Sequence, residues 1–167
     1  MVEKLFLVGT ILFLIAGVLN LIRILNAPNR CARVLLAGDL TDKIRAIMYL
    51  LRFPRRRVLR MVPLVAALVT DYGEDEYLRC LAAEFLRELG PEAVKRSLPC
   101  LIWTAKDVLD IRAVRQAAMR ALSVYPCPEV RSALEDISFL EEYPETRRAA
   151  EAALKAVKES HRIAQSP

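Results

Sequence analysis

The sequence predicts an all-α chain: an N-terminal transmembrane helix followed by a small α-solenoid of about three and a half helix pairs. Three observations carry that reading. Residues Leu5–Ile22 form an uncharged apolar run. Glycine is scarce while Ala, Leu, Arg and Glu abound, which favours helix almost throughout. One residue pattern also returns at a period near 36 residues. The 167 residues suffice for one domain plus an appendage. The segments read as 1–25 transmembrane anchor, 26–40 juxtamembrane linker, 41–160 repeat domain and 161–167 tail.

The anchor comes first. At about 1.5 Å per residue, the eighteen residues from Leu5 to Ile22 reach roughly 27 Å, near the thickness of a bilayer's hydrocarbon layer. Two readings compete with a membrane span. A cleaved signal peptide usually has a more basic start and a small-residue cleavage site, whereas only Lys4 precedes this run and Ala27 is followed by Pro28. A buried core helix would be unusually uniform. Gly9 and Gly17 are eight apart, so no GxxxG pairing motif is offered. Asn26–Asn29, with Pro28, reads as a short joint that ends the helix.

The flanks set an orientation. Glu3 and Lys4 cancel before the run, while Arg23, Arg30 and Arg33 follow it, so the positive-inside rule places the C-terminal domain in the cytoplasm. The expected location is thus the cell (inner) membrane, single-pass. From Arg23 to Arg60 ten Lys/Arg face only Asp39 and Asp42, 10 − 2 = +8. Residues 61–167 carry fourteen basic and seventeen acidic groups, or −3. The net charge of +5 therefore hides a strongly basic stretch beside the apolar end.

The repeats follow. Leu78-Arg-Cys-Leu-Ala-Ala-Glu-Phe-Leu86 resembles Val114-Arg-Gln-Ala-Ala-Met-Arg-Ala-Leu122 and Thr146-Arg-Arg-Ala-Ala-Glu-Ala-Ala-Leu154, with a fainter copy from Ile44. Their arginines, Arg45, Arg79, Arg115 and Arg147, step by 34, 36 and 32. A second phase agrees: Arg60-Met-Val-Pro-Leu-Val65 and Arg96-Ser-Leu-Pro-Cys-Leu101 lie 36 apart, and Asp71 and Asp107 each follow eight residues after the proline. Leu78, Leu81, Ala82, Phe85, Leu86 and Leu89 fall on one helix face. Gly90-Pro91 ends that helix and starts the next. Pro128-Glu129 and Pro144-Glu145 repeat the Pro-Glu start. Helices are expected at about 41–53, 55–70, 75–89, 92–105, 110–125, 128–140 and 145–160, with Pro63 and Pro99 kinking or shortening theirs.

On these residues the chain resembles the HEAT-repeat family, especially the short bacterial kind similar to phycobilin-lyase repeats. The helix with Arg and the Ala-Ala pair looks like the family's first (A) helix. The helix with apolar-Pro-x-apolar and a closing Asp looks like its second (B) helix. The likeness covers roughly residues 41–158 and thins in the third pair, where Glu129–Ile137 lacks the proline. It implies a stack whose B helices line a concave, partner-binding face.

Catalytic chemistry is not expected, nor is a cofactor or a metal. Cys31, Cys80, Cys100 and Cys127 form no CxxC pair and read as buried free thiols of a reducing compartment, and His161 is the lone histidine. Trp103 with Asp107 one turn on is a faint echo of HEAT-like DNA glycosylases; Trp103 reads as core or a partner contact. The few aromatics and the acidic remainder count against nucleic acid. The block Arg52-Phe-Pro-Arg-Arg-Arg-Val-Leu-Arg60 is the most distinctive surface feature, suited to anionic headgroups or an acidic protein, though a solvated helix start serving only topology is equally open. The expected function is a membrane-tethered adaptor or scaffold for a protein partner, with Arg55, Arg56, Arg57, Arg60, Lys95, Arg96 and Trp103 as contact candidates. The alternative is a small structural subunit of a larger membrane protein complex.

Overall fold

The computed structural model describes residues 29–164, apart from the side chains of His161, Ile163 and Ala164. The Leu5–Ile22 run and its expected span therefore lie outside the described residues, as does the side chain of the lone histidine, His161. No helix among the described residues is long and apolar enough to cross a membrane.

The described chain is helical from end to end. Helix α1 occupies 29–37, inside the stretch read as linker, and sends Cys31 and Leu35 into the core. Helix α2 spans Leu40–Leu50, α3 spans Arg55–Val58, and a 3₁₀ turn at Leu59–Met61 leads into α4, Val62–Thr70. Then come α5 (Glu76–Leu89), α6 (Pro91–Lys106), α7 (Arg112–Leu122), α8 (Pro128–Leu140) and α9 (Pro144–Ala164).

Local chemistry explains the boundaries. Asp39 and Asp75, 36 apart, cap α2 and α5 by accepting hydrogen bonds from the Asp42 and Tyr77 amides, each at 2.8 Å. Gly90 holds φ +78° and ψ −164° between α5 and α6, a conformation open to glycine alone. Pro63 sits in the first turn of α4, so the single helix expected over 55–70 is broken into α3, a 3₁₀ turn and α4. Pro99 lies inside a continuous α6 instead.

The helices form two layers. First helices of each pair, α2, α5, α7 and α9, contact in sequence, as do second helices α4, α6 and α8. Each second helix also packs on the first helix of the following pair: α4 on α5, α6 on α7, α8 on α9. The small pairs Ala82-Ala83 and Ala117-Ala118 are fully buried, which lets the α5 and α7 backbones approach closely. Phe85, Leu86, Leu101, Leu122 and Leu134 fill the space between the layers. Helix α9 turns Ala150, Ala153 and Val157 inward and Glu151, Lys155, Lys158 and Glu159 outward, closing the stack with a charged surface.

Candidate functional site: the second-helix face and its loop edge

A file of buried basic residues ties the stack together and sets its surface. Arg79 of α5 donates through Nε to the Val69 carbonyl (3.0 Å), and its two Nη atoms grip Asp110 (2.8 and 2.5 Å). The pair is dry, with 1% of the Arg79 side chain and none of Asp110 exposed. Arg115 repeats the device one unit on, reaching back to the Ala105 carbonyl (3.3 Å) and forward to Glu141. Exposed Arg147 closes the series on the Glu141 carbonyl (3.0 and 2.6 Å).

The first member is not Arg45. That side chain is exposed and only 3.7 Å from Asp42. Lys43 pairs instead with Glu74. Lys43, Arg79 and Arg115 step by 36 and 36, as do Glu74 and Asp110. An ammonium thus stands where later units carry a guanidinium.

The second-helix layer presents a regular outer face. Arg60, Arg96 and Ser132 are exposed 36 apart; so are Pro63, Pro99 and Glu135, and Ala67, Trp103 and Phe139. Toward the ends of α6 and α8 this face turns apolar. Phe139 is 86% exposed and Leu109, in the loop after α6, 92%. Val108, Leu140 and Tyr143 are exposed beside them. A cleft of about 420 Å³ opens there, floored by Ile137 and the Arg115–Glu141 pair and rimmed by Val108, Leu140, Tyr143 and the Lys106–Asp136 ion pair (2.7 Å).

A tyrosine roofs the first buried arginine of the file. The Tyr72 ring lies 5.0 Å from the Arg79 guanidinium and meets Trp103 edge-on at 5.8 Å. Its hydroxyl donates to Asp107, which pushes the phenol up to about 12. Arg112 sits 4.8 Å from the Tyr143 ring in the next loop. Asp107 also accepts from the Leu109 amide (3.1 Å), as Asp71 does from Gly73 (2.9 Å). Asp107 therefore shapes a turn and holds Tyr72.

The sequence-chosen contact residues divide into two groups. Arg55, Arg56 and Arg57 of α3, with Arg60, are exposed and have no ion-pair partner among the described residues. Lys95 and Arg96 lie near the start of α6, where Arg96 pairs with Glu92 (3.0 Å). Trp103 stands about 12 Å further along α6, at eight residues' rise. The structure adds Tyr72, Leu109, Phe139 and Leu140, none of which the sequence reading singled out; the 36-residue step from Trp103 was the available signal for Phe139.

All four cysteines are free; Cys31 is buried, while Cys80, Cys100 and Cys127 are only partly so, correcting the expectation of uniformly buried thiols. Burial pushes the thiols of Cys31, Cys80 and Cys127 up.

The family described as HEAT repeats matches residues 61–155, more than half of the chain. The chain belongs to the HEAT-repeat family. In HEAT terms α5–α6 and α7–α8 are complete A–B pairs, and α9 is an A helix with no B helix following it among the described residues. The match begins at Met61, just before α4, so the first A helix precedes it. No curated protein and no solved structure matches the chain.

Proposed function

We propose that this HEAT-repeat protein is a non-catalytic, membrane-tethered adaptor, anchored once by Leu5–Ile22 with its repeat domain in the cytoplasm, that holds a protein partner against the B-helix face. The observation that carries the reading is the apolar end of that face. Trp103 and Phe139 occupy one register of the repeat and stand exposed on that face with Leu109 and Leu140, and Leu140 rims a cleft of about 420 Å³. Aromatic anchors beside a pocket, with charges at the rim, are the usual energetic centre of a protein interface. HEAT repeats commonly serve as protein-interaction modules, and the uncharged run with arginines on its C-terminal side supports the tether and its orientation.

The test is affinity purification of the full chain from native membranes, comparing wild type with W103S/F139S/L140S. The triple variant should lose its co-purifying protein, since each hot-spot residue contributes about 2 kcal/mol or more, roughly thirty-fold in affinity. Retention of the same partner at the same stoichiometry would move the interface elsewhere and favour a structural subunit held through its membrane span. Protease protection in sealed vesicles checks the orientation: digestion of the repeat domain only from the cytoplasmic side is expected.

A further inference from the structure

The turn between α2 and α3 is unlike its counterparts in the later pairs. From Met48 to Arg57 the chain exposes Met48, Tyr49 and Leu51 together with Arg52, Arg55, Arg56 and Arg57. No acidic residue occurs between Asp42 and Asp71, so the patch has no carboxylate of its own chain segment to pair with. Those four arginines make no ion pair among the described residues. The equivalent turn of the second pair is neutralised: Arg87 bonds Glu84 (2.6 Å) and Glu88 (3.0 Å), and Arg96 bonds Glu92. The third, Ser123–Pro128, carries no basic residue.

Arg55 reaches the α5–α6 junction. Its guanidinium lies over Gly90, close enough that a Cβ there would come within 2.7 Å of Nη2. Tyr49 meets Phe53 edge-on at 5.0 Å, which stiffens the apolar part. Solvated arginines are common, but four with no ion pair among the described residues, around exposed Met, Tyr and Leu, make a basic–apolar surface. That composition suits the headgroup–acyl boundary of an anionic bilayer, where apolar side chains enter and arginines meet phosphates.

We propose that the Met48–Arg57 turn docks on an anionic membrane surface, with Met48, Tyr49 and Leu51 inserted and Arg52, Arg55, Arg56 and Arg57 on lipid phosphates. The inference rests on the tethered reading above, because the anchor supplies the high local concentration at which a small patch suffices. The docked turn fixes the first unit on the bilayer, while Trp103 and Phe139 lie two and three pairs into the stack, free for a partner.

The experiment uses the full chain carrying Leu51→Trp and Trp103→Phe, reconstituted in phosphatidylcholine vesicles with brominated acyl chains, with or without phosphatidylglycerol. The introduced indole should lose fluorescence only when phosphatidylglycerol is present. R55E/R56E/R57E should abolish that loss, and the corresponding three lysine substitutions should keep it, with helical circular dichroism unchanged in both. Carbonate extraction reads the anchor separately. An indole left bright in a carbonate-resistant protein overturns the docking and leaves the anchor standing. Quenching in phosphatidylcholine alone, or quenching that survives charge reversal, overturns the anionic assignment. Quenching of a carbonate-extractable protein sustains the docking and overturns the anchor. A bright indole combined with loss of a co-purifying protein on charge reversal assigns the turn to a protein and sinks the proposal.

Discussion

Arg79→Met is the substitution whose consequence follows most directly from the structure. It removes the Nε bond to the Val69 carbonyl and both Nη bonds to Asp110, while keeping most of the aliphatic stem. Asp110 would keep only its bond from the Ile111 amide (2.7 Å), with its carboxylate fully buried. Removing one partner of a dry ion pair costs about 3–5 kcal/mol, because the other charge is left uncompensated. The orphaned Val69 carbonyl adds about 1 kcal/mol. Against a stability of roughly 5–15 kcal/mol this approaches unfolding. Neutralising the survivor should recover part of it, so Arg79→Met/Asp110→Asn is expected to be about 2 kcal/mol more stable than Arg79→Met alone. Urea titration of the full chain in mild non-ionic detergent, followed by far-ultraviolet circular dichroism, reads the shift in midpoint at constant slope. A cost below 1 kcal/mol, or a double variant as weak as the sum of its singles, would refute the reasoning.

The hydroxyl of Thr104 is buried with no hydrogen-bond partner among the described residues, so Thr104→Val should raise stability by about 1 kcal/mol in the same titration; destabilisation by that amount would mean the hydroxyl is satisfied. Gly90→Ala should cost about 1–3 kcal/mol, since alanine tolerates φ +78° poorly, while the Arg55 side-chain end beside it can move aside; an unchanged midpoint would contradict that strain. The Tyr72 phenol is raised by its bond to Asp107, so its contribution is complete below pH 10 and fades as pH climbs through about 12. Absorbance titration should show the latest tyrosinate component disappear in Tyr72→Phe and move earlier in Asp107→Asn; no change in either would discard the bond.

Much of the architecture was legible from punctuation. Gly90-Pro91, Pro128 and Pro144 mark helix starts, and the observed bounds fall within a few residues of those expected. The repeated arginine was visible as a pattern, but its burial was not. Nothing local says that Arg79 will be dry, because the carboxylate that neutralises it lies 31 residues on. Matching by residue type also selected Arg45 where the spacing selects Lys43. Helix α1 was hidden because Pro28 and Asn29 suggested a joint, and only packing reveals why Cys31 and Leu35 turn inward. Phe139 follows the outward register of Ala67 and Trp103, whereas Leu140, the last residue of α8, has no exposed apolar counterpart 36 residues earlier to announce it, Thr104 being buried.

The arginine file bears on how the stack transmits force. Each buried guanidinium belongs to one pair, leans on the carbonyl end of the pair before it, and grips a carboxylate at the entrance to the pair after it. A single side chain thus spans three successive units, whereas simple repeat arrays couple only adjacent ones. Tension applied at α8 would run along this spine to Lys43 and Glu74, and no junction could part alone without exposing a buried charge. A short array built this way is a stiff strut: it yields as one body or not at all.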